Sequence, residues 1–444
     1  MSRPTVRAAF VAVTTLFFAW GFITSLIDPL VAAVKGIFTL TDLQAQLSAF
    51  AFFIAYGVVS FPAAVLLGRL RAVPTILLAL AMMALACLIM LGAANLAVYS
   101  LVLLGLFVLA SGITILQVAA NPLAAALGDP RGSHFRLTLS QTFNSLGTFI
   151  GPLLGAALFL KGVEVKEGTA ITPEVREAAL AGIDRAYFWI AGLIVLLLAF
   201  FWFSRRTVAA AAPPPAGAGK GMGTLIGEAF AARWALFGGA AIFLYVGAEV
   251  AIGTQMALFL NSDEVWGQSN APFGVPLLGE AMNSDGIRGV SLQEAGMAVA
   301  FYWGGAMIGR ALGSALLAIY NAARLLALFT AIACAMCLYV FAVGGVSAGF
   351  VALAIGLFNS IMFPVIFTLT LERSTASTEA TSGLLCTAIV GGAFVPLLVG
   401  ALSDQAGYVT ALLAPAACYA LLVLFAMAAA RAPIVARVDA STFH

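Results

Sequence analysis

RRTVAAAAPPPAGAGKGMG, residues 205–223, opens on two arginines and runs into a Pro/Ala/Gly-rich stretch that divides the chain into two comparable parts. Such a composition packs no core and reads as a flexible connector. Six long apolar segments precede it, at roughly 10–33, 44–68, 74–93, 97–126, 137–160 and 186–204. Six follow it, at roughly 232–260, 293–318, 323–343, 347–370, 382–401 and 407–430. Each is about 20 residues or longer and lacks strict alternation, which suits helices crossing a bilayer and not barrel strands. The expected organisation is a six-helix half over residues 1–204, a cytoplasmic linker over 205–231 and a second six-helix half over 232–444.

Composition agrees. The 444 residues are 63% hydrophobic and 9% charged, with a mean hydropathy of +1.07. A soluble globular chain is about half apolar and a quarter charged, so a soluble enzyme, a disordered chain, a fibrous repeat and a nucleic-acid binder are excluded. MSRPTVRAAF (1–10) leads into an apolar run too long for a signal-peptide core, with no small-residue cleavage site after it, so a retained first helix is expected. The cysteines, Cys87, Cys334, Cys337, Cys386 and Cys418, all fall in apolar segments, where a disulfide framework is not expected.

The few charges carry the orientation. With the N-terminus inside, the inner loops hold 15 Lys and Arg and the outer loops 6, while the outer loops hold 12 of the 19 acids. This positive-inside bias puts both termini in the cytoplasm. The halves also repeat weakly: GPLLGAALF (151–159) resembles VPLLVGALS (395–403), and Pro122 has a counterpart in Pro364. Two parallel halves around a midplane cavity are the arrangement of secondary transporters. The outer loops 161–185 and 261–292 exceed what a turn needs and read as solvated loops, or as a partial lid.

Two carboxylates lie well inside apolar segments, Asp28 and Glu249. A charge at the bilayer centre costs about 2.5–3.5 kcal/mol on insertion scales, so such groups face cavities and serve ions, protons or substrates. Asp28 precedes Pro29, which interrupts helix hydrogen bonding. It is the expected proton carrier, since His134 falls in a loop and His444 ends the chain. Glu249 is flanked by Gly247 and Gly253, which would let its helix bend. Amides are numerous: Gln117 and Asn121 share one helix face, Gln141 and Asn144 another, and Gln255 and Asn359 lie in the second half. Amides donate and accept, as a polyhydroxylated ligand requires. Trp20, Phe22, Tyr56, Phe301, Tyr302 and Trp303 are candidates for stacking on a pyranose ring. No metal cluster, phosphate loop or catalytic triad is visible, so no cofactor or metal is expected.

LQVAANPLAAALG (116–128) followed by HFRLTLSQTFNSLG (134–147) resembles the sugar permeases of the major facilitator superfamily related to fucose permease, and among them the bacterial glucose/galactose and N-acetylglucosamine branch. FFAWGFITSLIDPLV (17–31), AEVAIGTQMALFL (248–260), MFPVIFTLTLE (362–372) and SGLLCTAIVGGAFVPLLVGALSD (382–404) extend the resemblance over roughly residues 15–430. It implies an all-α fold of twelve transmembrane helices and sugar uptake driven by an ion gradient. Residue by residue, Asp28 matches the first-helix Asp of fucose permease, and Gln141 and Asn144 match its fifth-helix amides. Gln117 stands where that permease has a Glu, and Glu249 where it has an amide. The basic motif between the second and third helices is reduced to GRLRAVP (68–74).

The expected function is import of a hexose by proton symport across a bacterial inner membrane, by a monomer. Asp28 would carry the proton, and Gln141, Asn144, Gln117, Asn121, Glu249, Gln255, Asn359 and Trp303 would hold the sugar. A sodium-coupled carrier, with oxygens from Asp28, Gln117 and Asn121, or an uncoupled one is the first rival. An exporter of drugs or metabolites would want a more apolar cavity, and a sugar sensor would want a signalling domain that the 13 residues after Arg431 do not supply.

Overall fold

Pro29 has no N–H to donate to the carbonyl of Ser25, and just before it the first apolar segment breaks. It forms α1 (Arg3–Ser25) and α2 (Ile27–Phe38), joined at Leu26. In the computed structural model the described residues are 3–127, 133–160, 172–212, 221–267, 289–317, 319–376 and 378–435. The first half continues with α3 (Asp42–Leu70), α4 (Ala72–Leu96), α5 (Tyr99–Ala126), α6 (Ser133–Phe159) and α7 (Pro173–Ala211). Then come a short α8 (Met222–Ala231), α9 (Arg233–Asn261), α10 (Leu292–Leu317) and α11 (Ala322–Val343). The last three passes are each broken: α12 (Gly345–Asn359) with α13 (Met362–Arg373), α14 (Thr378–Thr387) with α15 (Gly391–Ala406), and α16 (Tyr408–Ala411) with α17 (Leu413–Arg431). The described residues include no strand.

Eleven of these stretches are long and apolar enough to cross a bilayer. The twelfth expected pass, α10, is 26 residues long. It is diluted by Glu294, Tyr302, Trp303, Arg310 and five glycines. The outward faces keep Phe203, Leu196, Trp189 and Leu424 at least 60% exposed, a surface that suits lipid and not water. Local signals set the ends. Thr41 and Gln44 form a reciprocal capping box on α3, Ser291 and Glu294 form another on α10, and Thr172 caps α7 just before Pro173. The expected sixth segment is longer than its apolar run: α7 begins at Pro173 and ends at Ala211. The first residues of the expected linker are therefore helical, and α8 occupies its end. Residues 213–220 lie outside the described residues, as do 161–171 and 268–288 of the two outer loops.

The two halves are built alike. In the first, α1 packs on α6, α3 on α5, and α4 on α5 and α7. In the second, α9 packs on α15, α10 on α12, and α11 on α12 and α17. The halves meet where α6 lies along α10 and α3 along α15. Small residues allow the closest approaches. Gly147, Gly151 and Gly155 set one face of α6 directly on the backbone of α1 and on Ser25, Leu26 and Pro29. In the second half Gly391 of α15 meets the carbonyl of Phe243 as Gly147 meets that of Phe18. Counting on from Phe18 and Phe243 by ten residues reaches Asp28 and Gly253.

At the end where α2 turns into α3, charged groups bridge the halves. Lys35 donates to Asp42 Oδ1 at 2.5 Å and to the Tyr408 hydroxyl at 2.8 Å. The Asp404 carboxylate accepts the backbone N–H groups of Asp42 (2.7 Å) and Leu43 (2.9 Å), capping α3 from the other half. Just beneath, Thr254 donates to Gln46 Oε1 at 2.9 Å. Lys35 and Asp42, which the sequence places between the first two apolar segments, are thus parts of a closed seam.

A Cβ at position 151 would overlap Ser25 Oγ and press on the carbonyl of Phe22, whereas Gly192 has nothing within 4 Å. Gly151→Val is therefore expected to destabilise the protein by about 1–3 kcal/mol or more, seen as a lowered thermal midpoint in detergent. Gly192→Val should leave that midpoint unchanged. Equal midpoints for the two variants would refute this packing.

Candidate functional site

Asp28 sits in the first turn of α2, 4% exposed, beside the break at Leu26. The α6 glycine face holds this break in place from behind. From the opposite half, Trp303 Nε1 donates to Asp28 Oδ2 at 2.5 Å. Gly253 of α9 makes the room: a Cβ there would lie 3.2 Å from Trp303 Cζ2 and 3.5 Å from Asp28 Oδ1. Asp28, α9 and α10 therefore meet where the halves meet. α9 runs unbroken through this region, so Gly247 and Gly253 serve close approach and not the expected bend.

Glu249 lies one turn before Gly253, half-buried and within electrostatic reach of Asp28. Its carboxyl lies in the field of Arg310, and the hydroxyl of Tyr245, one turn before it, donates to the carbonyl of Asn359 at 3.2 Å. Arg310 also donates to Ser145 Oγ of α6 at 2.6 Å. Arg310 falls among the inner-loop cations in the sequence reading, but the structure places it inside α10 and between the halves.

The amides separate into two groups. In the first half all four are half-buried. Gln117 donates to the Tyr56 hydroxyl at 2.8 Å, and Gln141 reaches Asn121 Oδ1 at 3.4 Å. Asn144 donates to the carbonyl of Phe17 at 3.1 Å. In the second half the amides are enclosed. Asn359 is 0% exposed, donates to the Tyr302 hydroxyl at 2.7 Å and accepts from the Tyr419 hydroxyl at 2.8 Å. Tyr302 in turn donates to the carbonyl of Glu249 at 3.0 Å. Gln255 is 5% exposed and donates to Ser403 at 3.1 Å. It lines a small, partly open pocket between helices of the second half, with Met256, Tyr408 and Leu412. The structure therefore gathers Asp28, Glu249 and Trp303 at the seam. Asn359 supports them from behind, and Gln255 faces elsewhere.

The candidate stacking rings divide as well. Trp20 is buried against Phe17, with centroids 4.1 Å apart, and Tyr56 stacks on Phe53 at 5.9 Å. Trp303 stays half-buried, edge-on to Tyr302 at 5.1 Å. Sequence reasoning missed Tyr245, Ser145 and the central place of Arg310. The signal for Arg310 was present: GGAMIGRALGS (304–314) puts a cation deep in a glycine-rich membrane segment. Among the described residues no group of His, Cys, Asp and Glu is fit to hold a metal ion.

Comparison with known proteins agrees with this geometry. A glucose/galactose transporter of Brucella abortus is 38% identical over 426 residues, covering 96% of this chain and 95% of that protein. The L-fucose-proton symporter of Escherichia coli is 31% identical over 429 residues, covering 94% and 92%. The crystal structure of the E. coli fucose:proton symporter superposes with a TM-score of 0.67 at 26% identity, over 95% of this chain and 98% of that one. The sequence pattern of the Major Facilitator Superfamily matches residues 9–377. With its helical halves, its seam of buried polar groups and these relatives, the chain belongs to the Major Facilitator Superfamily.

Proposed function

We propose that this protein imports a hexose of the glucose or galactose type by proton symport, as a single chain in a bacterial cytoplasmic membrane with both termini inside. The observation that carries the reading is the bond between Trp303 and Asp28 across the seam. A charged carboxylate accepts a stronger hydrogen bond than a neutral carboxyl does. The protonation of Asp28 therefore sets how firmly α2 is tied to α10, and that links proton occupancy to the relative position of the halves. The names of the Brucella and E. coli relatives support a sugar as cargo and a proton as its partner. In this orientation the Lys35–Asp42–Tyr408–Asp404 seam closes the outer end.

Sugar recognition follows from what the seam offers. Gln117, Asn121, Gln141 and Asn144 present amides from the first half, and Glu249 presents a carboxyl from the second. Trp303 adds an indole face beside Asp28. Gln255 and Asn359 act through the packing of the second half. A carboxylate on a sugar hydroxyl forms a short, strong bond, which suits Glu249 to ligand binding and leaves coupling to Asp28.

Two measurements check these roles. Asp28→Asn should retain sugar exchange in proteoliposomes and lose uphill accumulation. A driving force of about 2.3 kcal/mol per charge per 100 mV makes that loss large. Undiminished accumulation would sink the coupling role. Glu249→Gln should weaken sugar binding yet keep sugar-driven proton entry. Intact binding with proton entry abolished would make Glu249 the coupling group instead.

A further inference from the structure

The two halves repeat one amide–tyrosine pair but finish it differently. Gln117 of α5 donates to Tyr56 of α3, and Asn359 of α12 donates to Tyr302 of α10. The two amides stand at the same place in the repeat, five residues before Pro122 and Pro364. In the second half the chain of bonds is complete: the Tyr302 O–H donates to the backbone carbonyl of Glu249, and Asn359 Oδ1 accepts from Tyr419. In the first half it stops. Tyr56 accepts from Gln117, and the described residues offer its own O–H no acceptor. The residue that corresponds to Glu249, again counted from Phe18 and Phe243, is Thr24. Its hydroxyl oxygen is buried with no partner. The Tyr56 side chain is 5% exposed and has its ring packed on Phe53 and Phe52, which leaves the O–H as its unspent bonding capacity. Gln117, half-buried, keeps its carbonyl oxygen out of the bond to Tyr56.

We infer that Tyr56 and Gln117 form a subsite for one hydroxyl of the transported sugar, with the Tyr56 O–H donating to it and Gln117 Oε1 accepting from it. A hydroxyl is one donor and a two-lone-pair acceptor, so this pair satisfies it fully. An unused donor buried in an apolar surround costs free energy, and a ligand that engages it recovers that cost. The subsite assigns hydroxyl recognition at this point to the first half, while the matching pair in the second half is an internal brace that touches no ligand. The inference rests on the sugar reading above and adds which atoms read one hydroxyl. It also replaces ring stacking as the role of Tyr56.

The experiment is a binding series on purified full-length protein with D-glucose, D-galactose and their single-position deoxy analogues. Tyr56→Phe removes one oxygen and keeps the ring against Phe53. The parent sugar should bind the variant about tenfold more weakly. One deoxy analogue should bind wild type and variant equally, because the hydroxyl that Tyr56 serves is already gone. The others should keep the full gap. Tyr302→Phe should instead lower the thermal midpoint and show no selectivity among the analogues. Thiol alkylation gives a second reading, since Cys386 lies near the Tyr56 hydroxyl and Cys334 packs far off against Ala416. Sugar should slow labelling at Cys386 alone, and less so in Tyr56→Phe. An equal loss for every analogue, or no loss for the parent, overturns the subsite while leaving sugar transport intact. Failure of all the sugars to bind wild type overturns the sugar reading and this inference with it.

Discussion

The direct contact of α6 with the break between α1 and α2 governs the arrangement of the rest. In a membrane, helices gain little from apolar association, and association depends on how closely backbones approach. The glycines at 147, 151 and 155 leave α6 with no side chain of its own at three successive turns against its neighbour. This fixes the kink at Leu26, and the kink presents Asp28 to the other half. Gly253 and Trp303 then complete the pocket in which that carboxyl sits. The same contact recurs between Gly391 and Phe243, so the second half inherits the rule without inheriting the carboxyl.

Polar groups within this scaffold follow one constraint: out of water, a donor or acceptor must find a partner in the protein. In the second half Asn359, Tyr302, Tyr419 and Tyr245 meet it in one connected, enclosed group. Along the seam the amides of the first half remain half-buried. Rigidity and recognition are thus divided between two copies of one design.

Much of this was legible in the chain itself. Segment length and hydropathy marked the helices, and Pro29 marked the break beside Asp28. The six-plus-six layout and the paired prolines indicated the repeat. What stayed hidden depended on distance across the seam. A lysine and an aspartate seven residues apart read as loop charges, because nothing local shows that Tyr408 and Asp404 close over them. Arg310 counted among the inner cations because Ser145, to which it donates, is far away in sequence. Asn359 and Gln117 read alike as ligands, since both are amides in apolar helices. Only burial separates the enclosed one from the half-open one.

Asp28 and Gly253 are counterparts in the repeat, yet a side chain at one nearly touches the other. Two equivalent points of a two-fold object come together only where the symmetry axis passes. The carboxyl therefore lies on the line about which the halves are related, which for parallel repeats runs along the membrane normal. When two rigid bodies rock against each other, points near that line and at mid-depth travel least. In a carrier whose halves rock in this way, Asp28 would be the fulcrum, nearly still while the water in front of it changed sides. A group so placed would need no path of its own through the protein, since the medium would reach it first from one face and then from the other.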